Sequence, residues 1–128
     1  MFNVELISID GKQNFLEVAS IIVPTSDGNR TILNRHMDVI IEIVPGVAKF
    51  KMADSTESYF VSAGILTHSN NKASMVVDAF ESENEIDFKR AHHAYEKAHN
   101  IIHKSHDTFE IKKAELAIKR ALGRLRLQ

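Results

Sequence analysis

The sequence predicts an antiparallel β-sandwich followed by a two-helix antiparallel hairpin. From Phe2 to about Phe80, short apolar and β-branched runs alternate with turn residues at roughly ten-residue spacing, which is typical of an antiparallel sandwich or barrel. After Ser82 the apolar residues recur at helical spacing instead. We therefore divide the chain of 128 residues into a β domain over residues 1–83 and a helical domain over residues 84–128.

Apolar runs and turn residues give the predicted strands in order. The runs are Val4–Ile9, Val18–Val23, Met37–Val44, Val47–Met52, Tyr59–Ser62, Gly64–Thr67 and Ala73–Ala79. Because glycine, asparagine and aspartate tolerate turn geometry, turns are expected at Asp10-Gly11, Ser26-Asp27-Gly28-Asn29, Pro45-Gly46 and Ser69-Asn70-Asn71. Pro24 is expected to end the second run, and the consecutive apolar residues 39–41 predict a strand buried on both faces. Gly28, Gly46 and Gly64 are assigned to backbone angles at turns.

The first helix is predicted to begin soon after Ser82. Ser82 with Glu85 three residues later has the form of a capping box, and Asn84 is an alternative N-cap. One apolar stripe then follows at helical spacing: Ala91, Ala94, Ala98, Ile101 and Ile102. Asp107 with Glu110 repeats the capping signature, so the chain is expected to turn just before it.

The second helix carries its own apolar stripe, which consists of Ile111, Ala114, Ile118, Ala121, Leu122 and Leu125. Two amphipathic helices joined by a short turn form an antiparallel hairpin. The seam is mostly alanine and buries little apolar area, so we expect the helix pair to be weakly held and able to open. Gly123 softens the last turn further, because glycine costs about 1 kcal/mol relative to alanine inside a helix.

Formal charge is divided unequally between the two domains. Residues 1–83 contain 6 Lys/Arg and 11 Asp/Glu, giving −5, whereas residues 84–128 contain 10 and 6, giving +4. A basic C-terminal half is attracted to acidic protein surfaces, phosphates or anionic lipid.

Cysteine is absent, which excludes a disulfide framework and a thiolate metal site. The pattern of a secretory signal and an apolar run of membrane-spanning length are both missing, so we expect neither secretion nor a transmembrane segment.

Five charged residues of the predicted helices form the main candidate site. Asp87, Arg90 and Lys97 share one side of the first helix, and Arg120 and Arg124 share one edge of the second. A folded hairpin would bring four cations and one carboxylate together beside the alanine seam. Such a cluster is either a nucleotide phosphate site, where guanidinium groups bind phosphate in bidentate fashion, or solvated surface charge. Because no glycine-rich phosphate loop accompanies it, hydrolysis is not expected.

Histidines give a second, weaker candidate site. His92, His99, His103 and His106 line one face of the first helix, and His99 and His103 have the i, i+4 spacing of metal ligands. Without a neighbouring carboxylate in register, a solvated and pH-responsive face is the preferred interpretation, and no metal is predicted.

Neither a nucleophile nor paired carboxylates stand out, so the sequence does not predict an enzyme. Its aromatic residues are assigned to the core or its rim, not to stacking on nucleic acid.

Short motifs follow one another along the chain in a characteristic order. In the β domain they are Val23-Pro24, Ser26-Asp27-Gly28, Ile32-Leu33, His36, Pro45-Gly46-Val47, Ser62-Ala63-Gly64 and Ser69-Asn70-Asn71-Lys72. This order, followed by a basic helical hairpin, resembles the epsilon subunit of rotary F-type ATP synthases over the whole length of the chain. Ile86-Asp87-x-x-Arg90-Ala91 is similar to the ATP-binding motif of some bacterial members. Further basic residues of those members correspond to Lys97, Arg120 and Arg124.

The resemblance implies a non-catalytic rotor subunit in the central stalk of a proton-translocating ATP synthase, peripheral to the cytoplasmic face of the cell membrane. The sandwich would bind the gamma subunit near the ring of membrane subunits. The hairpin would extend along gamma toward the catalytic alpha and beta subunits and inhibit ATP hydrolysis. No cofactor is required, but ATP is implied as a regulatory ligand of the folded hairpin. Its implied binding residues are Ile86, Asp87, Arg90, Ala91, Lys97, Arg120 and Arg124.

The segment Asn29–Asp38 departs from the family pattern, which usually has an acidic residue after the turn glycine and a Pro-Gly before the histidine. Here arginines stand at positions 30 and 35. In the family this loop faces the membrane ring. Predicted partner contacts are therefore Asn29, Arg30 and His36 in the loop, with Arg120 and Arg124 on the hairpin facing an acidic catalytic-subunit loop. For His36 itself, a structural hydrogen bond within the loop is the simpler explanation.

A free-standing binding module is the rival functional class, either as a nucleotide sensor or as a basic-helix binder of peptides and lipids. Such a module would be monomeric and would lack a stoichiometric partner. A rotor subunit would instead copurify with a gamma subunit and catalytic subunits. Copurification from native membranes therefore distinguishes the two.

Overall fold

In the computed structural model, which describes residues 1–128, two five-stranded sheets pack face to face and two helices follow them. The strands are β1 (Phe2–Ser8), β2 (Gln13–Val18), β3 (Ser20–Thr25), β4 (Gly28–Leu33), β5 (Val39–Ile43), β6 (Gly46–Lys51), β7 (Thr56–Val61), β8 (Gly64–Ser69), β9 (Lys72–Val77) and β10 (Phe80–Ser82). A short 3-10 helix, Glu83–Glu85, leads to α1 (Phe88–Lys104) and α2 (Thr108–Leu125). The predicted fold, a β-sandwich followed by a helical hairpin, is confirmed.

Each sheet has a defined strand order. Sheet A runs β2-β1-β9-β8-β5, and sheet B runs β10-β7-β6-β3-β4. All neighbouring strands are antiparallel except β1 and β9, which are parallel with Asn3 opposite Lys72. The predicted antiparallel sandwich is therefore confirmed, with this one parallel ladder as an exception. Alternation of apolar residues predicts which face of a strand is buried, but it carries no information about strand direction.

The core lies between the two sheets and consists of 18 buried hydrophobic residues from Phe2 to Phe80. In β1, Phe2, Val4 and Leu6 point inward, and the residues between them are more exposed. This period of two is the one expected of a strand with one buried face. Phe50, Leu6 and Met75 are among the fully buried side chains.

The run predicted over Val18–Val23 is divided between two strands. Strand β2 ends at Val18, and β3 begins at Ser20 and continues through Pro24 to Thr25, so Pro24 does not end it. Pro24 is tolerated because the ladder between β3 and β6 stops at Ile22, beyond which that side of β3 has no β6 partner for an N–H donor. Its carbonyl oxygen still accepts the Val44 N–H at 3.1 Å.

Two further expectations fail at the sheet edges. Residues 28–33, predicted as turn and loop, form the edge strand β4, in which only Ile32 is buried. Residues 39–41 are not buried on both faces, because Ile40 is 75% exposed while Ile41 is 3% exposed. Strand β5 lies at the edge of sheet A with its outer face uncovered, so a continuous apolar run did not indicate two buried faces.

Glycines have two different structural roles. Gly28 has φ +104°, a left-handed conformation that favours glycine and confirms its predicted turn role. Gly64 has no positive φ; instead, a Cβ there would lie 2.1 Å from the Val76 carbonyl oxygen. The assignment of Gly64 to a turn angle is therefore wrong. Close approach of neighbouring strands requires the glycine.

Both helices begin at aspartate N-caps. The predicted capping box of Ser82 and Glu85 is present, but it caps the N-terminus of the 3-10 helix and not that of α1. Asp87 is the N-cap of α1 and accepts the Arg90 backbone N–H at 3.0 Å. Asp107 caps α2 as predicted and accepts the N–H of Phe109 at 2.9 Å.

The helices pack against each other through small side chains. Four alanines are buried along the seam: Ala91, Ala98, Ala114 and Ala121. Ala94 and Leu122, which were predicted to lie on the apolar stripes, are exposed. The alanine seam is confirmed, and it is narrower than the sequence stripe suggested.

Because every member of the 18-residue core belongs to the strands, we predict that the fragment 1–83 folds without the helices. Circular dichroism during urea unfolding should give a cooperative β-type transition. Its free energy of unfolding should be within a few kcal/mol of that of the full chain, since the helices contribute no residue to this core. A fragment without a cooperative transition would mean that the helices complete the core.

Candidate functional site at the base of the hairpin

The hairpin meets the sandwich at the last turn of α2, which contacts β6 and β7. Phe60 of β7 is fully buried but lies outside the sandwich core, whereas its neighbours Tyr59 and Val61 belong to that core. Phe60 therefore points out of sheet B toward α2. A Cβ at Gly123 would lie 2.9 Å from the Phe60 ring and 3.2 Å from the Gly46 Cα. The helix can approach sheet B this closely only because position 123 has no side chain.

Arg124 adds an ion pair to this contact. Its Nε and Nη2 atoms donate to the two carboxylate oxygens of Glu81, each at 3.1 Å. The guanidinium carbon also lies 4.5 Å from the centre of the Phe60 ring, within the range of a cation–π interaction. Arg124 and Glu81 are only about a quarter exposed, with side-chain exposures of 28% and 27%. A bidentate, partly desolvated pair of this kind is stronger than an ordinary surface ion pair.

A cavity of about 370 Å³ lies beside this ion pair. It is lined by Glu81, Glu85, Asp87, Arg90, Ala91, Ala94 and Arg124. The 3-10 helix, the N-terminal turn of α1 and the C-terminal turn of α2 converge there, so the antiparallel hairpin positions all three. The alanines form one apolar wall, and the remaining lining residues are charged.

The cavity lining contains three carboxylates and two guanidinium groups. Glu85 forms an ion pair with Lys12 of the β1–β2 turn, and Lys12 also donates to the Phe80 carbonyl oxygen at 3.0 Å. The hydrogen bond from Lys12 is the main cause that lowers the pKa of Glu85. Arg90 has no salt-bridge partner and is exposed. It is therefore the lining cation most available to an anionic ligand.

The structure brings together only part of the predicted basic cluster. Asp87, Arg90 and Arg124 line the cavity with Ala91, and Ile86 is buried next to them. Lys97 instead borders a shallow surface depression near the turn between the helices. Residues seven apart on a helix are separated by about 10 Å along its axis, so sharing a side did not place Lys97 beside Arg90.

Arg120 is half-buried one turn before Arg124 and does not line the cavity. The predicted grouping of four cations with one carboxylate is thus wrong in composition, because Glu81 and Glu85 also line the cavity. Glu81 belongs to β10 and Glu85 to the 3-10 helix. Neither carboxylate was expected to face the helices.

The predicted partner contacts of the β domain are split between the two ends of β4, with Asn29 and Arg30 in its first half and His36 beyond its last residue. Asn29 and Arg30 are exposed on β4, where regular strand pairing replaces the expected loop. The hydrogen bond predicted within the His36 loop is confirmed, since His36 Nδ1 donates to the Met37 carbonyl oxygen at 2.7 Å. The Arg35 N–H donates to the Asn71 side chain at 2.8 Å and ties this loop to the β8–β9 turn.

Among the histidines, the rings of His99 and His103 lie 4.4 Å apart between centroids. No group of three or more His, Cys, Asp or Glu side chains is arranged to hold a metal ion. A different histidine, His68, is buried in sheet A, and neither of its ring nitrogens has a hydrogen-bond partner. It packs edge-on against Phe2 and His36, at centroid distances of 5.4 and 5.9 Å.

Sequence reasoning missed the sandwich side of the site: Phe60, Glu81 and Lys12. The only available signal was strand alternation, which places Phe60 on the face opposite Tyr59 and Val61 and so outside the core. The partners of Lys12 and Glu81 are far away in sequence, at positions 85 and 124. Periodicity within one element cannot indicate such pairs.

Comparisons with known proteins agree over both parts of the chain. Residues 1–83 match the β-sandwich domain of the ATP synthase delta/epsilon chain, and residues 84–127 match its long α-helix domain. An ATP synthase epsilon chain of Levilactobacillus brevis is 30% identical over 98% of this chain and 92% of that protein. One of Staphylococcus aureus is 29% identical over 98% of this chain and 94% of its own length.

Two solved structures share the fold. A chain of the Euglena gracilis mitochondrial ATP synthase, described as OSCP/F1/c-ring, has a TM-score of 0.81 at 21% identity and covers 96% of this chain and 78% of that one. A chain of the central stalk and c-ring of the Tetrahymena thermophila mitochondrial ATP synthase has a TM-score of 0.69 at 12% identity, covering 97% and 93%. Neither helix of this chain combines the length and the apolar character that a membrane span requires.

The lowered pKa of Glu85 predicts a pH dependence. Because its folded-state pKa lies below the unfolded value, the ion pair with Lys12 stabilises the fold above the unfolded pKa. That contribution is lost as pH falls through the folded-state pKa. Lys12→Gln should raise the pKa of Glu85 in a carboxyl NMR titration. The variant should also lose more stability relative to the parent at pH 7 than at acidic pH, where Glu85 is protonated and the ion pair is lost in both chains.

Lys49→Gln, which changes an exposed lysine on β6, is the matched control and should leave Glu85 unaffected. An unchanged Glu85 titration in Lys12→Gln would contradict this account of the ion pair.

Proposed function

Since the chain belongs to the ATP synthase delta/epsilon family, we propose that it acts as the epsilon subunit of a proton-translocating F-type ATP synthase, a non-catalytic part of the rotating central stalk. The observation that carries this proposal is the match of both family domains, in order, over residues 1–83 and 84–127. Nearly the whole chain is accounted for by a sandwich and a helical domain. In this role the chain transmits rotation and regulates hydrolysis, while other subunits bind and convert substrate.

We propose that the sandwich binds a gamma subunit and faces the ring of membrane subunits, at the cytoplasmic side of the cell membrane. The related Tetrahymena chain comes from a structure of a central stalk and c-ring, which supports the proposal. Sheet A has an apolar outer face on which Phe15, Ile40, Ile65 and Val76 are 45% to 75% exposed. An exposed apolar face of this kind fits a stable protein partner. Asn29 and Arg30 in the first half of β4, and His36 beyond its end, are the proposed contacts toward the ring.

The hairpin is the proposed inhibitory arm. Its +4 charge and its narrow alanine seam support an arm that leaves the sandwich and binds an acidic surface of the catalytic subunits. Arg120 and Arg124 are proposed contacts in that extended state. Arg124 must then exchange Glu81 for an acidic group of the partner. The two positions of the arm therefore compete for the same guanidinium group.

We predict that deletion of residues 106–128 raises ATP hydrolysis by the parent complex, on the order of fivefold, without preventing assembly. The physical reason is loss of the basic helix that competes for the catalytic subunits. Steady-state hydrolysis by the purified complex, at low and high ATP, measures the effect. Subunit composition on a gel checks assembly.

A charge-reduced arm, Arg120→Gln with Arg124→Gln, should reproduce part of the increase. The matched control is Lys112→Gln with Lys113→Gln, which removes the same charge from exposed positions earlier on α2. If hydrolysis stays unchanged in the truncated complex at every ATP concentration, the arm is not inhibitory.

ATP is the proposed regulatory ligand of the folded hairpin. A cavity of about 370 Å³ with an alanine wall can receive a nucleoside, and its carboxylates can accept hydrogen bonds from hydroxyl and amino groups. Three carboxylates repel a triphosphate, so its binding depends on cations at the cavity mouth. Arg90 is the exposed candidate there, and Arg120 and Lys97 lie farther along the helices. Ile86, Asp87 and Ala91 complete the proposed binding set.

If ATP binds the folded hairpin but not the extended arm, it stabilises the folded state by RT ln(1 + [ATP]/Kd). The population of the arm then shifts toward that state. Calorimetry of the full chain with ATP should detect binding at millimolar concentration. Arg90→Ala and Arg124→Ala should each weaken binding by about tenfold, because a charge-assisted hydrogen bond contributes about 1.5–3 kcal/mol. Arg90→Ala is the sharper variant, since Arg124 also binds Glu81.

The matched control for the ATP experiment is Arg126→Ala, which removes an exposed arginine that does not line the cavity. Absence of heat at millimolar ATP, or equal binding in all variants, would identify the arginines as surface and structural charge.

A further inference from the structure

We propose that the last turn of α2 is a latch that holds the hairpin on the sandwich, and that Gly123 is the residue on which the latch depends. The latch consists of Gly123 and Arg124 on the helix, with Phe60, Gly46 and Glu81 on the sandwich. Its effect on hydrolysis rests on the inhibitory arm proposed above. Its existence does not, because docking can be measured on the isolated chain.

Docking of the hairpin is concentrated at one end. Helix α2 makes its contacts with β6 and β7, while α1 makes none of comparable extent with the sandwich. The remaining length of the hairpin lies beyond these contacts, where the two helices hold each other through the alanine seam and half-buried side chains such as Ile101 and Ile118. Whether the hairpin is docked on the sandwich or detached from it therefore depends on the few residues of the last turn.

Steric fit makes Gly123 the critical position in the latch. The two Phe60 ring carbons nearest to a Cβ at position 123 would each lie 2.9 Å away, closer than real Cβ contacts. Gly46 is fixed in the ladder between β6 and β7, opposite Val61, so its backbone cannot withdraw. Phe60 is fully buried, and the Arg124 guanidinium group covers its ring at 4.5 Å from the centroid. Even a methyl group at position 123 must displace α2.

Helix propensity works in the opposite direction to docking. Alanine is a better helix former than glycine, by about 1 kcal/mol in a helix interior. Gly123→Ala should therefore leave α2 as helical as before, or more so, while separating it from sheet B. This combination distinguishes loss of the latch from unfolding of the helix.

Arg124 strengthens the latch through two contacts at once. Its guanidinium group stacks on Phe60 and binds both carboxylate oxygens of Glu81. Both contacts are lost when the helix withdraws, and Phe60 then becomes exposed. Without the close approach at Gly123, the ion pair could not form in this geometry, because Arg124 is the next residue on the same turn.

The experiment is amide hydrogen exchange of the isolated full chain, read by mass spectrometry for residues 120–128 and for the β6–β7 hairpin. In Gly123→Ala, exchange of both segments should accelerate roughly tenfold or more, with helix content by circular dichroism unchanged or higher. Leu122→Ala is the matched control, because its side chain is 41% exposed on the same turn. Exchange in the control should stay near that of the parent chain.

A second variant keeps the test independent of position 123. Glu81→Gln keeps the size of the side chain but removes the ion pair, and it should accelerate exchange of residues 120–128 by a smaller factor. Parent-like exchange in both Gly123→Ala and Glu81→Gln would overturn the latch.

ATP hydrolysis by a complex that contains Gly123→Ala tests the latch and the inhibitory arm as two separate proposals. Faster exchange in the isolated chain together with stronger inhibition of the complex would support both proposals. Faster exchange with unchanged hydrolysis would leave the latch standing and overturn the inhibitory arm.

Discussion

Phe60 links the two halves of this chain, since it belongs to a strand of the sandwich but is buried by a helix of the hairpin. Burying a phenylalanine contributes about 1.5–3 kcal/mol, whereas each alanine methyl contributes roughly 0.8 kcal/mol. One aromatic contact is therefore worth several positions of the seam. Because that contact requires glycine on the helix, the arrangement of the hairpin is sensitive to a single methylene-sized change.

Charge acts together with this apolar contact. The sandwich and the basic hairpin carry opposite net charge, and two ion pairs lie where they join. The Arg124–Glu81 pair joins the end of α2 to β10, and the Lys12–Glu85 pair joins the β1–β2 turn to the start of the helical region. Both carboxylates also line the cavity. A ligand that enters the cavity therefore meets groups that already hold the hairpin in place, and binding and docking are energetically linked.

Prediction from sequence succeeded where one element carried the signal. Apolar runs bounded by turn residues identified most strands, helical spacing located both helices, and aspartate at position 107 correctly marked the start of α2. It failed where two distant elements cooperate. The parallel pairing of β1 with β9 and the carboxylates of the cavity depend on neighbours far away in sequence. The strand at residues 28–33 pairs with the adjacent β3, but it was missed because only one of its residues is buried. The motif at residues 86–91 correctly located the base of the hairpin, but its acidic surroundings became visible only in the fold.

The parallel ladder of sheet A also determines the order in which the chain can fold. Strand β1 emerges first during synthesis but cannot complete its pairing until β9, near residue 77, is available. Pairings of such wide sequence separation close slowly, on timescales of milliseconds to seconds in β-rich domains, whereas helices form within microseconds. The hairpin can therefore be helical before sheet A is complete. Its docking must wait, because the surface that receives Gly123 exists only after β6 and β7 have joined sheet B.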